Sequence, residues 1–341
     1  MIDKSKAMQR AIEISELGLG LTTPNPIVGA LVIDDSGEIL GEGFHNCARD
    51  KNHAEVNALN VAGKRAQGAI LVSTLEPCNH TGKTPPCVDA ISRAGIKQVI
   101  YSIKDPNPIA QGGADRLRSL GIKVIEGVLE KEVRFSNRAW LTKIEKKRPY
   151  ISIKSALSLD GKMAAADGSS KWITNEHSRN DVARLRSECD AIVTGTGTVF
   201  ADDPSLTVRD IDRLGAKFVP TRLVLGKRLI PKESKLLDNT APTIHLQTDE
   251  LSQLIELARC KRWNRILIEA GPTLTGAFLK AGLFDEIFLY QAPTILGGNF
   301  DFAKNLGLQN ISDRLDLQLH EVALLGDIQK NLRLHLLALR S

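Results

Sequence analysis

His53-Ala54-Glu55, Pro77-Cys78 and Cys87 are the residues of this sequence best suited to chemistry. One imidazole and two thiolates give a tetrahedral zinc ion three protein ligands and leave its fourth position open, as catalytic zinc sites do. Such a metal brings the pKa of a water close to neutral, and a glutamate nearby, itself off the metal, can take the water proton and pass it on. The pattern therefore predicts hydrolytic chemistry, with His53, Cys78 and Cys87 as metal ligands and Glu55 as the proton carrier. Cys47, six residues before His53, fits a free thiol near the entrance better than a fourth ligand, which would close the open position.

A second set of candidates lies beyond residue 149. In Pro149-Tyr150-Ile151-Ser152-Ile153-Lys154-Ser155-Ala156-Leu157-Ser158-Leu159-Asp160-Gly161-Lys162 a strand runs into an Asp-Gly turn, and Ser169-Ser170-Lys171-Trp172 adds hydroxyls and a flat apolar surface. Thr194-Gly195-Thr196-Gly197-Thr198 closes another strand with glycines that let backbone amides approach a ligand. Ile266-Leu267-Ile268-Glu269-Ala270-Gly271-Pro272-Thr273 reads as a buried strand, a short turn and a helix start, whose free N–H groups suit a pyrophosphate. The full G-x-G-x-x-G fingerprint is absent, which argues against a Rossmann domain.

The elements that must position these groups follow from periodicity. Met8, Ala11, Ile12 and Ser15 share a helical face, and residues 27–33 and 38–44 flank an Asp34-Asp35-Ser36-Gly37 turn as a hairpin. A helix is expected over 54–61, a buried strand over 69–75 that delivers Pro77-Cys78, and a helix over 88–93 with Cys87 at its start. Cys78 is also expected at a helix start, where the backbone dipole favours thiolate. A strand at 97–102, a helix at 114–120 and a strand at 122–127 complete a layered α/β unit. Residues 128–149 are polar and helical in pattern and mark the boundary between domains at 1–147 and 148–341. The second series has strands near 150–157, 191–195, 221–225, 242–246, 264–269 and 285–290. Its helices fall near 176–188, 249–260 and 273–281.

Composition sets limits. The 341 residues carry a net charge of +5, 25% charged and only 4% aromatic residues, so a basic surface and stacking platforms for nucleic acid are both lacking. Five cysteines at 47, 78, 87, 189 and 260 suit metal ligation at 78 and 87 and buried small residues at 189 and 260, rather than a disulfide framework. No apolar stretch has the length of a membrane span, and the N-terminal residues read as an amphipathic helix, so a cytoplasmic location is expected.

The eight residues between Cys78 and Cys87 differ from the two of the nucleobase-deaminase pattern H-x-E…P-C-x-x-C. With Pro24-Asn25-Pro26-Ile27-Val28-Gly29-Ala30, Gly41-Glu42-Gly43-Phe44-His45 and Asp105-Pro106-Asn107-Pro108, this first half resembles the deaminase domain of the bifunctional riboflavin-biosynthesis deaminase/reductase family. The segment 46–52 departs from the family in lacking glycine and proline. The motifs of the second half resemble the same family's reductase domain, in the same order.

The resemblance implies a cytidine-deaminase-like three-layer α/β/α domain followed by a dihydrofolate-reductase-like α/β domain. It implies zinc and NADPH as cofactors, small phosphorylated pyrimidines as substrates, no nucleic-acid or membrane partner, and a homo-oligomer, dimer or tetramer. Deamination of 2,5-diamino-6-(5-phosphoribosylamino)pyrimidin-4(3H)-one would precede reduction of the ribosyl side chain of the aminouracil product to ribityl. Asn25 and the loop 79–84, with His80 and Lys83, would hold the first substrate. Ala156, Trp172, Thr198, Asp202 and Gly271, Pro272, Thr273, Leu274, Thr275, Gly276 and Ala277 would contact NADPH. Ser170, Arg186, Leu206, Arg209 and Glu269 would contact the second substrate, with Lys154 beside the reacting carbon. Plainer readings stand next to these: surface polarity for His45, His80 and Lys83, a solvated helix face for Arg184, a core aromatic for Trp172 and simple packing for Leu206. A nucleic-acid deaminase, a binding protein with structural zinc and a chain with one degenerate domain are the rival readings.

Overall fold

Two glycines in the second strand show how the first half is assembled. Strand β1 (Gly29–Ile33) pairs antiparallel with β2 (Ile39–Phe44), and helix α2 (Ala54–Ala62) lies on β2 so closely that a Cβ on Gly41 or Gly43 would meet the Ala58 backbone at 2.4 Å. Helix α1 (Lys4–Glu16) approaches the other face equally closely at Gly29, where a Cβ would stand 2.0 Å from the Ala11 carbonyl oxygen. The computed structural model describes residues 3–46, 52–81, 85–208 and 219–339; Cys47, Lys83 and Arg209, with most of the segment 46–52, lie outside the described residues.

Strands β3 (Ile70–Leu75), β4 (Gln98–Ile103) and β5 (Lys123–Ile125) complete a five-stranded sheet in the order β2-β1-β3-β4-β5, in which β3, β4 and β5 run parallel. Helices α3 (Cys87–Arg93) and α4 (Gly113–Ser119) follow α2 on its side of the sheet, and α5 (Glu130–Ser136) packs with α1 on the other. Leu31, Val32, Leu71, Val72, Val99 and Ile100 are buried in the core between the layers. Helix α6 (Arg138–Lys146) ends the unit Met1–Lys147; the second unit is Arg148–Ser341.

In the second unit β6 (Tyr150–Leu157) lies inside an eight-stranded sheet with β8 (Ala191–Gly195), β9 (Thr221–Leu225), β10 (Thr243–Leu246), β11 (Arg265–Ile268), β12 (Glu286–Gln291), β14 (Leu317–Leu325) and β15 (Asn331–Ala338). The order is β10-β9-β8-β11-β6-β12-β15-β14, the first six parallel and the last two antiparallel; β7 (Lys162–Ala164) and β13 (Phe300–Asp301) form a separate pair. Helices α9 (Leu251–Cys260) and α10 (Pro272–Lys280) cover one face through Leu254, Ala258, Phe278 and Leu279. The other face receives α7 (Glu176–Ser187) through Val182 and Leu185, and α8 (Thr196–Asp202) through Val199.

Four details differ from the sequence expectations. The β14–β15 hairpin is additional: β14 is exposed along most of its length, and an irregularity between Leu319 and Glu321 resets its alternation. Helix α8 is a second addition, formed by residues that begin Thr-Gly-Thr-Val and are poor helix formers. Cys78 stands in extended chain after β3 rather than at a helix start. Cys260 is exposed, because it falls off the buried stripe of Leu254 and Ala258 on α9.

Candidate active sites in the two units

In the first unit three elements converge. His53 is the N-cap residue of α2, Cys78 follows β3 and Cys87 opens α3. Their ligand atoms all lie within 4.8 Å of one another, with His53 Nδ1 3.2 Å from Cys87 Sγ and 3.4 Å from Cys78 Sγ. The backbone N–H of Cys87 points at Cys78 Sγ at 3.4 Å. Hydrogen bonds from the Cys87 thiol and from His53 outweigh burial and pull the Cys78 thiol down to about 4, whereas Cys87, donating to Cys78 in a buried place, is pushed up. One ready thiolate, a second thiol and an imidazole, all buried or half-buried, form a donor set that fits zinc.

Glu55, in the first turn of α2, is buried against this cluster, and burial raises its pKa. A carboxyl raised in this way can hold a proton as well as accept one. His45 meets His53 edge to face, takes Asn52 as a partner for Nδ1 at 2.9 Å and lies 3.2 Å from the Asn25 amide through Nε2. Asn25 is thereby brought to the cluster. His80 Nδ1 is buried with no hydrogen-bond partner among the described residues.

Glu76, to which the sequence reading gave no role, is a buried organiser. It accepts the N–H of Ala114 at 2.9 Å and that of Asp105 at 3.3 Å, so one carboxylate ties the Pro-Cys segment to the start of α4 and to the loop after β4. Asp105, buried near it, has its pKa pushed up to about 6. Gly113 sits directly beneath the segment: a Cβ there would lie 1.7 Å from the Pro77 carbonyl oxygen. The Glu-Pro-Cys order after a buried strand was the available signal, since a buried carboxylate requires partners.

In the second unit the candidates gather at the C-terminal ends of the parallel strands, where ligands bind in open α/β sheets. Lys154 on β6 reaches Glu269, just after β11, at 3.4 Å. Arg186 on α7 grips the same carboxylate through Nε at 2.5 Å and Nη2 at 2.9 Å, and its Nη1 donates to the Thr207 carbonyl at 2.9 Å. Burial alone would raise the Glu269 pKa, but Arg186 and then Lys154 hold it down at about 2. Ala156 shares the face of β6 that Lys154 occupies. Gly271 is the N-cap of α10, Pro272 begins it, and the Gly271 N–H donates to Thr198 Oγ1 at 3.0 Å, which joins the α8 and α10 starts. Ser170 donates to Asp202 at 2.8 Å.

Other candidates face elsewhere. Trp172 is 63% exposed, with the Arg179 guanidinium 4.8 Å from its ring centre, and is no core residue. Leu206 is buried among Ile192, Val199, Val224 and Leu236. Gly276 packs on Lys304, whose carbonyl oxygen a Cβ would meet at 1.9 Å, and the Thr275 hydroxyl donates to the Ala270 carbonyl. Thr273 is exposed; Leu274 and Ala277 are half-buried. Arg184, itself exposed, pairs with Asp181 and Glu188, whose side chains are largely buried.

Residues 149–327 match the family model of the RibD C-terminal domain, and residues 1–103 match that of the cytidine and deoxycytidylate deaminase zinc-binding region. The riboflavin biosynthesis protein RibD of Mycobacterium tuberculosis is 45% identical over 322 residues, 94% of either chain. The chain belongs to the RibD family. The RibD protein of Escherichia coli is 37% identical over 354 residues, 94% of this chain and 96% of that one. Among solved structures, RibD of Acinetobacter baumannii superposes with a TM-score of 0.88 at 37% identity, covering 99% of each chain. A diaminohydroxyphosphoribosylaminopyrimidine deaminase/5-amino-6-(5-phosphoribosylamino)uracil reductase of Thermotoga maritima gives 0.89 at 33% identity, covering 98% of this chain and 99% of that one.

As a RibD protein the chain is a deaminase and reductase of riboflavin biosynthesis, with a cytidine-deaminase-like unit and a RibD reductase unit. Zinc serves the first unit and NADPH the second. Among the described residues no helix is long and apolar enough to cross a membrane.

Proposed function

We propose that Met1–Lys147 removes the amino group at C2 of 2,5-diamino-6-(5-phosphoribosylamino)pyrimidin-4(3H)-one, and that Arg148–Ser341 then reduces the ribosyl side chain of the resulting aminouracil. The observation that carries the reading is the convergence of His53, Cys78 and Cys87 within 4.8 Å beside the buried Glu55.

His53, Cys78 and Cys87 hold the metal. Zinc bound there supplies the Lewis acidity that makes a water acidic near neutral pH. Glu55 takes the proton of the attacking water and returns it to the ring nitrogen and the departing ammonia, and its raised pKa suits both halves of that transfer. Asn25, steadied by His45, and the loop beginning at Asn79 hold the pyrimidine. Asn79 is itself fixed by Arg116 at 2.9 Å.

In the second unit NADPH supplies the hydride that reduces C1′ of the opened ribose. Lys154 stands at the reacting carbon, with its ammonium steadied by Glu269. Arg186 locks Glu269 in place and keeps spare donors for the substrate phosphate. Ser170 completes the substrate side, Leu206 anchors the neighbouring segment in the core, and Arg209 is assigned to the substrate from the family pattern. Ala156, Trp172, Thr198, Asp202 and the 271–277 turn receive the cofactor. The turn's N–H groups suit its pyrophosphate.

The edge strand β14 exposes Leu319, Val322 and Leu324 by half or more, which supports a homo-oligomer covering this edge. The modest charge and few aromatics favour small phosphorylated pyrimidines over nucleic acid, and a cytoplasmic enzyme accords with the zinc thiolates. The test supplies the diaminopyrimidine phosphate with and without NADPH and follows ammonia and NADPH separately. Ammonia is expected without NADPH, and NADPH oxidation only after deamination; oxidation that precedes ammonia release overturns the order.

A further inference from the structure

NADPH and NADH differ by one phosphate on the adenosine ribose, so discrimination between them needs a cation placed at that phosphate. The sheet orders the cofactor's path across it. With Lys154 on β6 at the reacting end, a pyrophosphate would meet the α10 start after β11, and the α8 start follows β8. The next strand outward is β9, three strand spacings from β6, or about 14 Å. Its chain continues into Gly226-Lys227-Arg228.

This turn is held from two sides. His245 Nε2 donates to the Gly226 carbonyl at 2.8 Å. Gly226, at φ +137°, lies so close to Thr196 at the α8 start that a Cβ would meet its Oγ1 at 2.5 Å. Lys227 is engaged by Asp249 at 2.6 Å. Arg228, next to it, is exposed and has no carboxylate or hydrogen-bond partner among the described residues. Its guanidinium carbon sits 4.5 Å from the ring centre of Phe200 on α8, and its Nη2 lies 3.7 Å from the place a Cβ would take on Gly197. The stacked ring fixes the plane of the fork while its donors stay unmet, and a planar fork with free donors matches the oxygens of a phosphate.

We infer that Arg228 binds the 2′-phosphate of NADPH and sets the preference for NADPH over NADH, an inference that rests on the second unit being the NADPH-dependent reductase. A pyrophosphate at the α10 start would lie nearer the centre of the sheet, which leaves the outer cation for the adenosine end.

Arg228→Met keeps an apolar stem against Phe200 and removes the charge. Calorimetric binding of 2′,5′-ADP to the full zinc-loaded chain is expected to weaken about ten- to a hundredfold, with 5′-AMP binding unchanged. The kcat/KM with NADPH should fall by a similar factor through KM, the value with NADH should hold, and ammonia release should be untouched. Arg228→Lys should recover part of the loss. Equal weakening of both nucleotides, or of neither, overturns the inference. A native chain that oxidises neither NADPH nor NADH after deamination would instead overturn the reductase reading on which it stands.

Discussion

Replacing Arg186 by methionine tests the electrostatic core of the second site. Arg186 contributes two short bonds to Glu269, at 2.5 and 2.9 Å, whereas Lys154 contributes one at 3.4 Å. The Glu269 pKa is held at about 2 against an ordinary 4.5, a depression worth about 3 kcal/mol of folding stability at neutral pH. Removing Arg186 leaves a carboxylate that is 9% exposed with only the longer lysine contact, and losing one partner of a buried pair costs about 3–5 kcal/mol. The pH dependence identifies the cause. In the native chain the folded-state pKa lies below the unfolded one, so the contribution is complete above about pH 4.5 and is lost as the pH falls toward 2. In the variant the strongest influence lowering this pKa is gone, so the folded-state value rises and the contribution of the depression is lost. The gap between the two proteins should therefore widen as the pH rises from about 2 to about 4.5 and persist above it. Hydrogen exchange of the β6 and β11 amides in the full chain measures that gap, with the β3 and β4 amides as an unchanged internal reference. A loss that is the same at every pH from about 2 to 8 would mean that Arg186 supports the fold by packing alone, and the electrostatic reasoning would fail.

Glu55→Gln preserves size but not the proton carrier; zinc content should hold while ammonia release falls about 10²- to 10⁴-fold. NADPH oxidation on added deaminated intermediate should persist in this variant, and its loss in a folded chain would contradict separate sites. Gly113→Ala forces a Cβ to within 1.7 Å of the Pro77 carbonyl oxygen, beside Cys78. It should cost about 1–3 kcal/mol and lower the chelator concentration that strips zinc; an unchanged chelator titration would refute the tight fit. Sedimentation of the full chain should show an oligomer, and Leu319→Lys with Leu324→Lys should shift it toward monomer. A native chain that sediments as a monomer at micromolar concentration would count against a covered β14 edge.

The parts that could be read from sequence are those in which local pattern and fold agree. Residues 150–157 place Tyr150, Ile151, Ile153, Ala156 and Leu157 in a strand pattern ahead of the Asp160-Gly161 turn, and β6 occupies those residues. The proposed zinc ligands fall within one stretch from His53 to Cys87, placed by the end of a strand and two helix starts that each have their own periodic signal. By contrast β14 carries Leu-Gln-Leu-His-Glu-Val-Ala-Leu-Leu, in which a bulge breaks the alternation and exposure on both faces removes the polar stripe that marks a strand. Helix α8 is seven residues long and owes its form to the apposed Gly226 turn and the sheet beneath rather than to its own propensities.

The same contrast explains why the two sites differ in what sequence could assign. A zinc site is specified by ligand type, and a His-x-Glu with two cysteines states its chemistry before it is folded. The reductase site is specified by pairings such as Arg186 with Glu269, 83 residues apart, which no spacing rule connects and only parallel strands with α7 on one face bring together. Arg186 and Glu269, expected from the family to touch substrate, spend most of their bonding capacity on each other, on Lys154 and on the Thr207 carbonyl. Leu206, next to Thr207, packs inward, so the segment leading toward Arg209 is anchored by a core leucine and by the guanidinium that also holds Glu269. Substrate phosphate arriving at Arg186 would thus bear on a carboxylate that already orients Lys154. Binding and positioning of the lysine are coupled through one shared ion pair.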